Sequence, residues 1–512
     1  MRRILFTMIF GLYIAVFAGG LGISADVDEL LDIIGSPPAD FTLNTDYNLN
    51  RLIRELELRG KIPITYSIAP YTVRDILDIT ENYPDALWTN RSLRLISPYI
   101  IKNDLFVIWN PGIWLRYRSQ NEKLDKFGKM NFGVGGTYGK WSLLGIYRLD
   151  SGYYSDPEYY GVRWERIAGK ADQVYARYTG KNTYFQIGRD YLKTGLGMAL
   201  SGIKPYERIQ ASIDFGEHFN ILWFVGQLDE YTEIQDTTKT IYNRYISGHR
   251  AQLTWKHFQI AFNELMIYGG VGRQIELYYI LPFYAFHGEQ LNHRWDDNTL
   301  WSLDMKVLIP PFRFQAEGIL DDFQIEREVA ADREPVEAGF AVQSDVALLS
   351  KPILLTQSLR YELVTPWTFN QELPWNRYLY ENRPLGASEG NDYYKISANT
   401  NFFGKFYGGN LEFHYIRKGV GRIDDQWTAP WIDEPEWTQQ FPSGIVERKI
   451  GGKISVWCDG LDWNFENFSG QFAIGSSFLF DKISNLNNVE GVNYTQWEAK
   501  LDLITRLWYS GF

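Results

Sequence analysis

Cysteine is nearly absent. One residue, Cys458, stands among 512, which excludes an internal disulfide framework and a thiolate-rich metal centre; it reads as a small strand residue. Histidine is scarce as well. The 6 His include no HExxH pair, so no metal site is expected. No GxSxG elbow occurs. Gly188, Gly195 and Gly197 miss both nucleotide-binding spacings and lie in no strand–helix unit, so no cofactor is expected either. Positive charge is in deficit: 51 Lys and Arg face 62 Asp and Glu, a net charge of −11. Phosphate binding needs the opposite sign, which disfavours a nucleic-acid partner. Beyond the N-terminus no stretch approaches the roughly 18 consecutive apolar residues of a membrane helix. If the mature chain lies in a membrane, a closed β-barrel is the remaining way to satisfy every backbone polar group in lipid.

Aromatics and glycine are plentiful: 34 Tyr, 31 Phe, 18 Trp and 45 Gly. That usage favours strands and turns over packed helices. Mean hydropathy is −0.29 although 45% of residues are hydrophobic, as expected where apolar side chains are spread one in two. The start of the chain differs. Arg2 and Arg3 precede an almost wholly apolar stretch, residues 4–18, and Ser24-Ala25 offers a cleavage point before Asp26. Residues 1–25 read as a secretory signal peptide. Without Arg2 and Arg3, 49 basic residues face 62 acidic ones, net −13. Residues 26–104 have helical periodicity. VDELLDII (27–34) is helical in character; Leu49, Leu52, Ile53 and Leu56 recur at helical spacing before Gly60 and Pro63; Thr72 caps a further pattern through Val73, Ile76, Leu77 and Ile79. This predicts a small helical domain on the periplasmic side.

From about residue 105 to 512 the period is two. Ile113, Leu115 and Tyr117 oppose Arg116 and Arg118; Phe312, Phe314, Ala316, Gly318 and Leu320 oppose Arg313, Gln315 and Glu317. Very short turns fall at Gly139-Lys140, Gly180-Lys181-Asn182, Gly216-Glu217-His218, Lys256-His257, Pro310-Pro311, Ser350-Lys351-Pro352, Gly404-Lys405 and Asp459-Gly460. Between them lie long polar segments at about 119–128, 151–171, 192–208, 229–243, 268–298, 321–337, 366–391, 417–445 and 481–493. Strict short–long alternation predicts about eighteen strands of an all-β, antiparallel transmembrane barrel, with short turns at the periplasm and long loops outside. Trp141, Phe219, Trp255, Phe258, Phe312, Phe403, Phe406 and Trp463 all flank short turns, the depth of an interfacial girdle. In the last strand Leu501, Leu503, Thr505, Leu507 and Tyr509 share a face, and Phe512 is out of step with them.

Polar residues that map to the outer end are Arg189, Asp190, His249, Arg250, Glu264, Arg273, Asp297, Asn298, Asp304, Asp321 and Asp322. They are expected to converge in the upper lumen, as salt bridges that stiffen the barrel more than as catalysts. The phase of Phe258, Ile260 and Phe262 points Glu264 at lipid, so a bulge or early exit is required there. In the long loops, Trp295, Trp367, Trp375, Tyr378, Trp427, Trp431 and Trp437 stand among Asn, Asp and Glu. Flat rings beside hydrogen-bonding groups suit stacking on sugars, and equally suit loops packed on each other.

The pieces DYNLNRLIRELELRGKIP, APYTVRDILDI, IGRDYLKTGLG, GHR, ELMIYGGVGRQIELYYILPF, DDNTLWSLD and LDDFQI together resemble the capsule-assembly (Wzi-like) outer-membrane barrel family over roughly residues 44–330. The resemblance implies an eighteen-stranded barrel with an N-terminal helical bundle, no cofactor, no enzymatic step, and retention of capsular polysaccharide at the surface of a Gram-negative bacterium. Its implied partners are outer-membrane lipid, surface polysaccharide and periplasmic export machinery. A porin or transporter is the second reading. An outer-membrane enzyme acting on glycan or lipid is the third.

Overall fold

The computed structural model describes residues 40–42, 48–75, 105–120, 122–156, 159–163, 168–322, 329, 333–434, 436–465 and 468–509. The signal peptide expected at 1–25, the helical stretch at 27–34, most of the helix expected from Thr72, and Phe512 lie outside the described residues.

Alternation gives each strand one oily and one polar face. Eighteen such strands close into an antiparallel barrel. Strands β1 to β6 are Leu105–Arg118, Lys123–Tyr138, Trp141–Asp150, Gly169–Thr179, Thr183–Asp190 and Tyr206–Phe215. Strands β7 to β12 are Phe219–Gln227, Thr238–Thr254, Phe258–Gly270, Asn298–Ile309, Phe312–Asp322 and Glu337–Leu349. Strands β13 to β18 are Leu354–Val364, Tyr393–Phe403, Tyr407–Lys418, Glu447–Phe465, Phe468–Ser484 and Asn493–Tyr509. β1 pairs with both β2 and β18, which leaves no edge. A further strand, Tyr231–Gln235, pairs only with the extension of β8 above the wall.

The oily faces point outward. On β11, Phe312 and Phe314 are exposed while Arg313 and Glu317 are buried inside. Seven of the eight short turns stand where the sequence places them. The eighth does not. Asp459-Gly460 has turn chemistry, but β16 runs on to Phe465, and the register merely slips between Cys458 and Leu461. The Asp459 amide still pairs back to Phe406 (2.9 Å), so the spot is a bulge inside a long strand. The first outer loop is shorter than expected, because β2 begins at Lys123. Phe403 leaves the girdle: it is buried on the inner face and meets Trp457 edge-on.

The lumen is filled from both ends along the wall β4–β13. Helix α1 (Asn48–Leu58) forms as its periodicity predicts and buries Leu52, Ile53 and Leu56. It sits within the short-turn mouth, held there by ions. Glu57 accepts from Lys306 (2.8 Å) and Arg313 (3.0 Å), Arg313 also donates to Asp345 (2.9 Å), and Arg59 donates to the Leu349 and Leu355 carbonyls. From the other end the 191–205 loop dips inward. Its Lys193–Thr194 pairs antiparallel with Ile68–Ala69 of the N-terminal segment. Above this meeting point the lumen is apolar. Leu196, Met198 and Leu200 of the loop pack with Phe369 and Tyr378 and with inward Phe224, Ile246, Leu265, Leu300 and Ile319 of the wall. The opposite wall differs: there Lys129 pairs with Asp502 (2.8 Å) and Arg116 with Asp125 (3.6 Å), all partly exposed.

Candidate functional site

Strand phase sorts the polar residues expected in the upper lumen into three places. Five are inside. Arg250 holds Asp304 with both guanidinium nitrogens (2.5 and 3.1 Å). Asp190 accepts from Gln173, Gln186 and Thr42 (2.8–2.9 Å). Asn298 donates to the Asn376 carbonyl (3.1 Å), and Asp321 accepts from the Phe369 amide (2.5 Å). A register shift at Leu320/Asp322 sets Asp322 opposite inward Glu337, so Asp322 joins the inner face. These contacts fasten loops and walls together.

Four others are on the outer surface of the wall, which corrects the expectation of a single lumenal cluster. β9 carries no bulge at Glu264, and Glu264 points outward in phase with Phe262. The 271–297 loop instead folds down over it. Glu264 accepts the Phe286 and His287 amides (2.9 and 3.1 Å) at the start of the helix Phe286–His293, and the Trp301 indole N–H (3.1 Å). His249 lies 3.2 Å from the same carboxylate. Arg273 and Tyr279 both hold Asp297 (2.8 and 2.9 Å), and Tyr279 and Phe286 are buried against Tyr245, Met266 and Tyr268. Glu264→Ala removes the acceptor of two helix-terminal amides. Charge-assisted bonds of this kind contribute about 1.5–3 kcal/mol, so trypsin should cut after Arg273 or Arg294 about ten to a hundred times faster in the folded variant.

Arg189 stands alone at the rim. It lines a pocket of about 460 Å³ together with Tyr153, Tyr159, Tyr160, Lys170, Lys204, Glu381 and Arg383. That volume lies in the range of small-ligand sites. Tyr153 and Tyr159 stack at 4.9 Å, and Tyr159 is pinned by its hydroxyl donating to the Gly169 carbonyl (2.7 Å). Tyr160 is 54% exposed. The Lys170 ammonium is 5.8 Å from the Tyr153 ring centre. Lys204 and Arg189 both bind Glu381 (3.0 and 3.4 Å). Burial pushes the Glu381 carboxyl up, but Lys204 and Arg189 outweigh it and hold it below the usual range. Cations thus outnumber carboxylates in this pocket, against the sign of the whole chain. None of its residues except Arg189 was singled out by the sequence, since they come from three separate loops and the first residues of β4, with no shared local pattern.

The aromatic candidates divide as well. Trp367, Trp427, Trp431 and Trp437 form one edge-to-face cluster at 5.3–6.2 Å. Trp375 stacks on Tyr242 (4.2 Å), and Trp295 stacks on His293 (4.6 Å) and packs against the Arg273 guanidinium (4.5 Å). Tyr378 is 1% exposed and donates to the Ala199 carbonyl (2.8 Å). Tyr378 is thus part of the lumen filling, and the other six rings pack chiefly on one another and on loop side chains.

A solved structure with this architecture is Wzi, an outer-membrane protein involved in group 1 capsule assembly in Escherichia coli and a carbohydrate-binding barrel. The two share 12% identity at a TM-score of 0.60, covering 90% of this chain and 98% of that one. The fold is that of the Wzi-like barrel. OccD3 of Pseudomonas aeruginosa matches at 8% identity and a TM-score of 0.44 over 80% of this chain and 92% of its own. OccAB1 of Acinetobacter baumannii matches at 10% and 0.43 over 79% and 96%. No family model matches the sequence, and no curated protein does. This chain is thus a closed barrel with the fold of an outer-membrane barrel, and among its described residues no helix is long and apolar enough to cross a membrane.

Proposed function

We propose that this Wzi-like barrel is a non-enzymatic lectin of a Gram-negative outer membrane, exported by the signal peptide read at 1–25. It would retain an exported, acid-bearing polysaccharide during capsule assembly. The observation that carries the reading is the rim pocket: tyrosine rings beside an excess of Lys and Arg on a chain of net charge −11. A pyranose presents an apolar face to a ring and a polar edge to charged donors, and a uronic acid adds a carboxylate for Lys170 or Arg383. The carbohydrate binding reported for Wzi agrees with this. The short-turn mouth, where α1 enters, is the face open to periplasmic export machinery.

The test is binding of purified barrel to a panel of exported polysaccharides. Lys170→Ala and Tyr160→Ala should each weaken binding of an acidic polymer about tenfold, the loss of one charged or stacking contact, while the heat-shift of the folded band is unchanged. Equal binding by both variants would end the proposal. Acid should weaken binding too. A carboxyl held below its ordinary pKa contributes stability that is present above that pKa and lost as pH falls. Titrating from pH 7 downward should therefore loosen the Glu381 clasp and the pocket with it, and Glu381→Gln should show the weakened state already at pH 7. The partly exposed charges on the wall β1–β2 and β18 favour a porin as second reading. Bilayer conductance of the intact chain distinguishes the two.

A further inference from the structure

The 271–297 loop has two apolar faces and only one of them is covered. Tyr279 and Phe286 face the wall. Leu277, Leu281, Phe283 and Leu291 face away from it, Leu277 76% and Phe283 80% exposed. For an extracellular loop in water this would be an unusual surface. Its place on the wall explains it.

Phe262 of β9 is exposed on the oily outer face, and Leu303 and Met305 of β10 continue that face. Glu264 is the next outward residue of β9, about 7 Å further along the strand. The loop therefore begins to cover the wall within one outward step of lipid-facing side chains. The wall there carries polar groups among its rings: Ser247, His249 and Glu264 all point outward beside Tyr245, Met266 and Tyr268. Facing acyl chains, such groups would need partners, because lipid supplies none. The loop gives Glu264 those partners with its own amides, and turns a second set of leucines and a phenylalanine to the outside.

We propose that the 271–297 segment is part of the lipid-facing surface of the barrel, with Leu277, Leu281, Phe283 and Leu291 seated among the acyl chains of the outer leaflet. The occupant follows from continuity with the oily band of β9 and β10. The proposal stands apart from the lectin reading, since none of these residues lines the rim pocket.

The full chain in phosphatidylcholine nanodiscs tests it. In a Cys458→Ser background, a nitroxide is attached at Phe283→Cys, at Leu277→Cys, and at Asp424→Cys in the exposed 419–446 loop as a water reference. Collisions with oxygen, which concentrates in lipid, should exceed those with a water-soluble nickel chelate at 283 and 277, with the order reversed at 424. Preference for nickel at 283 and 277 in a barrel that still shows its heat-shift would overturn the proposal. So would exclusion of both reagents together with a dimer mass, which would assign the face to a second copy. Should the Leu277→Cys barrel fail to fold, Leu291→Cys gives the same reading.

Discussion

Glu317→Ala is expected to raise the conductance of the barrel in planar bilayers above that of the native chain. Glu317 is 1% exposed on the inner face of β11. Its carboxylate accepts three backbone amides of the 191–205 loop: Leu196 (2.6 Å), Met198 (3.0 Å) and Ala199 (3.0 Å). The approach is so close that Gly195 must lack a side chain. Its φ is +50°, and a Cβ there would fall 2.7 Å from the Glu317 carboxylate. Removing the carboxylate leaves three buried donors without an acceptor, at about 1–3 kcal/mol each. Even half that sum weakens the hold of the wall on the loop. Its contact with Ile68–Ala69 then weakens too, so the fillings from both ends loosen together. Glu317→Gln keeps one carbonyl acceptor and loses the charge, so its conductance should fall between the two. Native conductance in a folded Glu317→Ala barrel would show that something else closes the pore.

Much of this barrel is readable from residue order alone, because strand phase is local. The alternation on β11 tells which of Phe314 and Glu317 faces lipid, and turn chemistry with Gly and Pro places six connections, with Lys256-His257 a seventh. Asp459-Gly460 misleads because Asp-Gly serves a bulge as well as a turn, and local residues do not reveal how far β16 outruns its neighbour. Phase alone also separates Arg250 and Asp304, inside, from His249 and Glu264, outside. The expectation of one lumenal cluster set that phase aside for Glu264 by requiring a bulge. What no local pattern carries is where a loop goes. The amides that satisfy Glu264 lie 22 and 23 residues further on. Those on Glu317 lie 118–121 residues earlier. The rim pocket joins residues from Tyr153 to Arg383. The indoles of two loops were legible as aromatic-rich; their mutual edge-to-face packing was not.

Arg250→Ala should be the most destabilising single change in the lumen. Arg250 is 1% exposed and Asp304 2%. Besides its two bonds to Asp304, the guanidinium donates to Asn263 (3.0 Å) and Gln252 (2.9 Å), so its donors are well matched to the site. Deleting one partner of a buried ion pair costs about 3–5 kcal/mol, because the other charge stays behind uncompensated. Here the cost is compounded: a Cβ added at Gly195 would meet the side chains of both Asp304 and Glu317, so the two acids are close neighbours and Asp304 without Arg250 becomes a bare anion beside another. The folded band should convert to the unfolded one at markedly lower temperature or urea than the native chain. Arg250→Met with Asp304→Leu removes both charges at similar volume and should recover most of the loss. If the single and double variants were equally unstable, the deficit would come from lost packing and the ion pair would carry little. If Arg250→Ala also conducts more than the native barrel, the repulsion has reached Glu317 and displaced the 191–205 loop, which ties the stability of the wall to the closure of the pore.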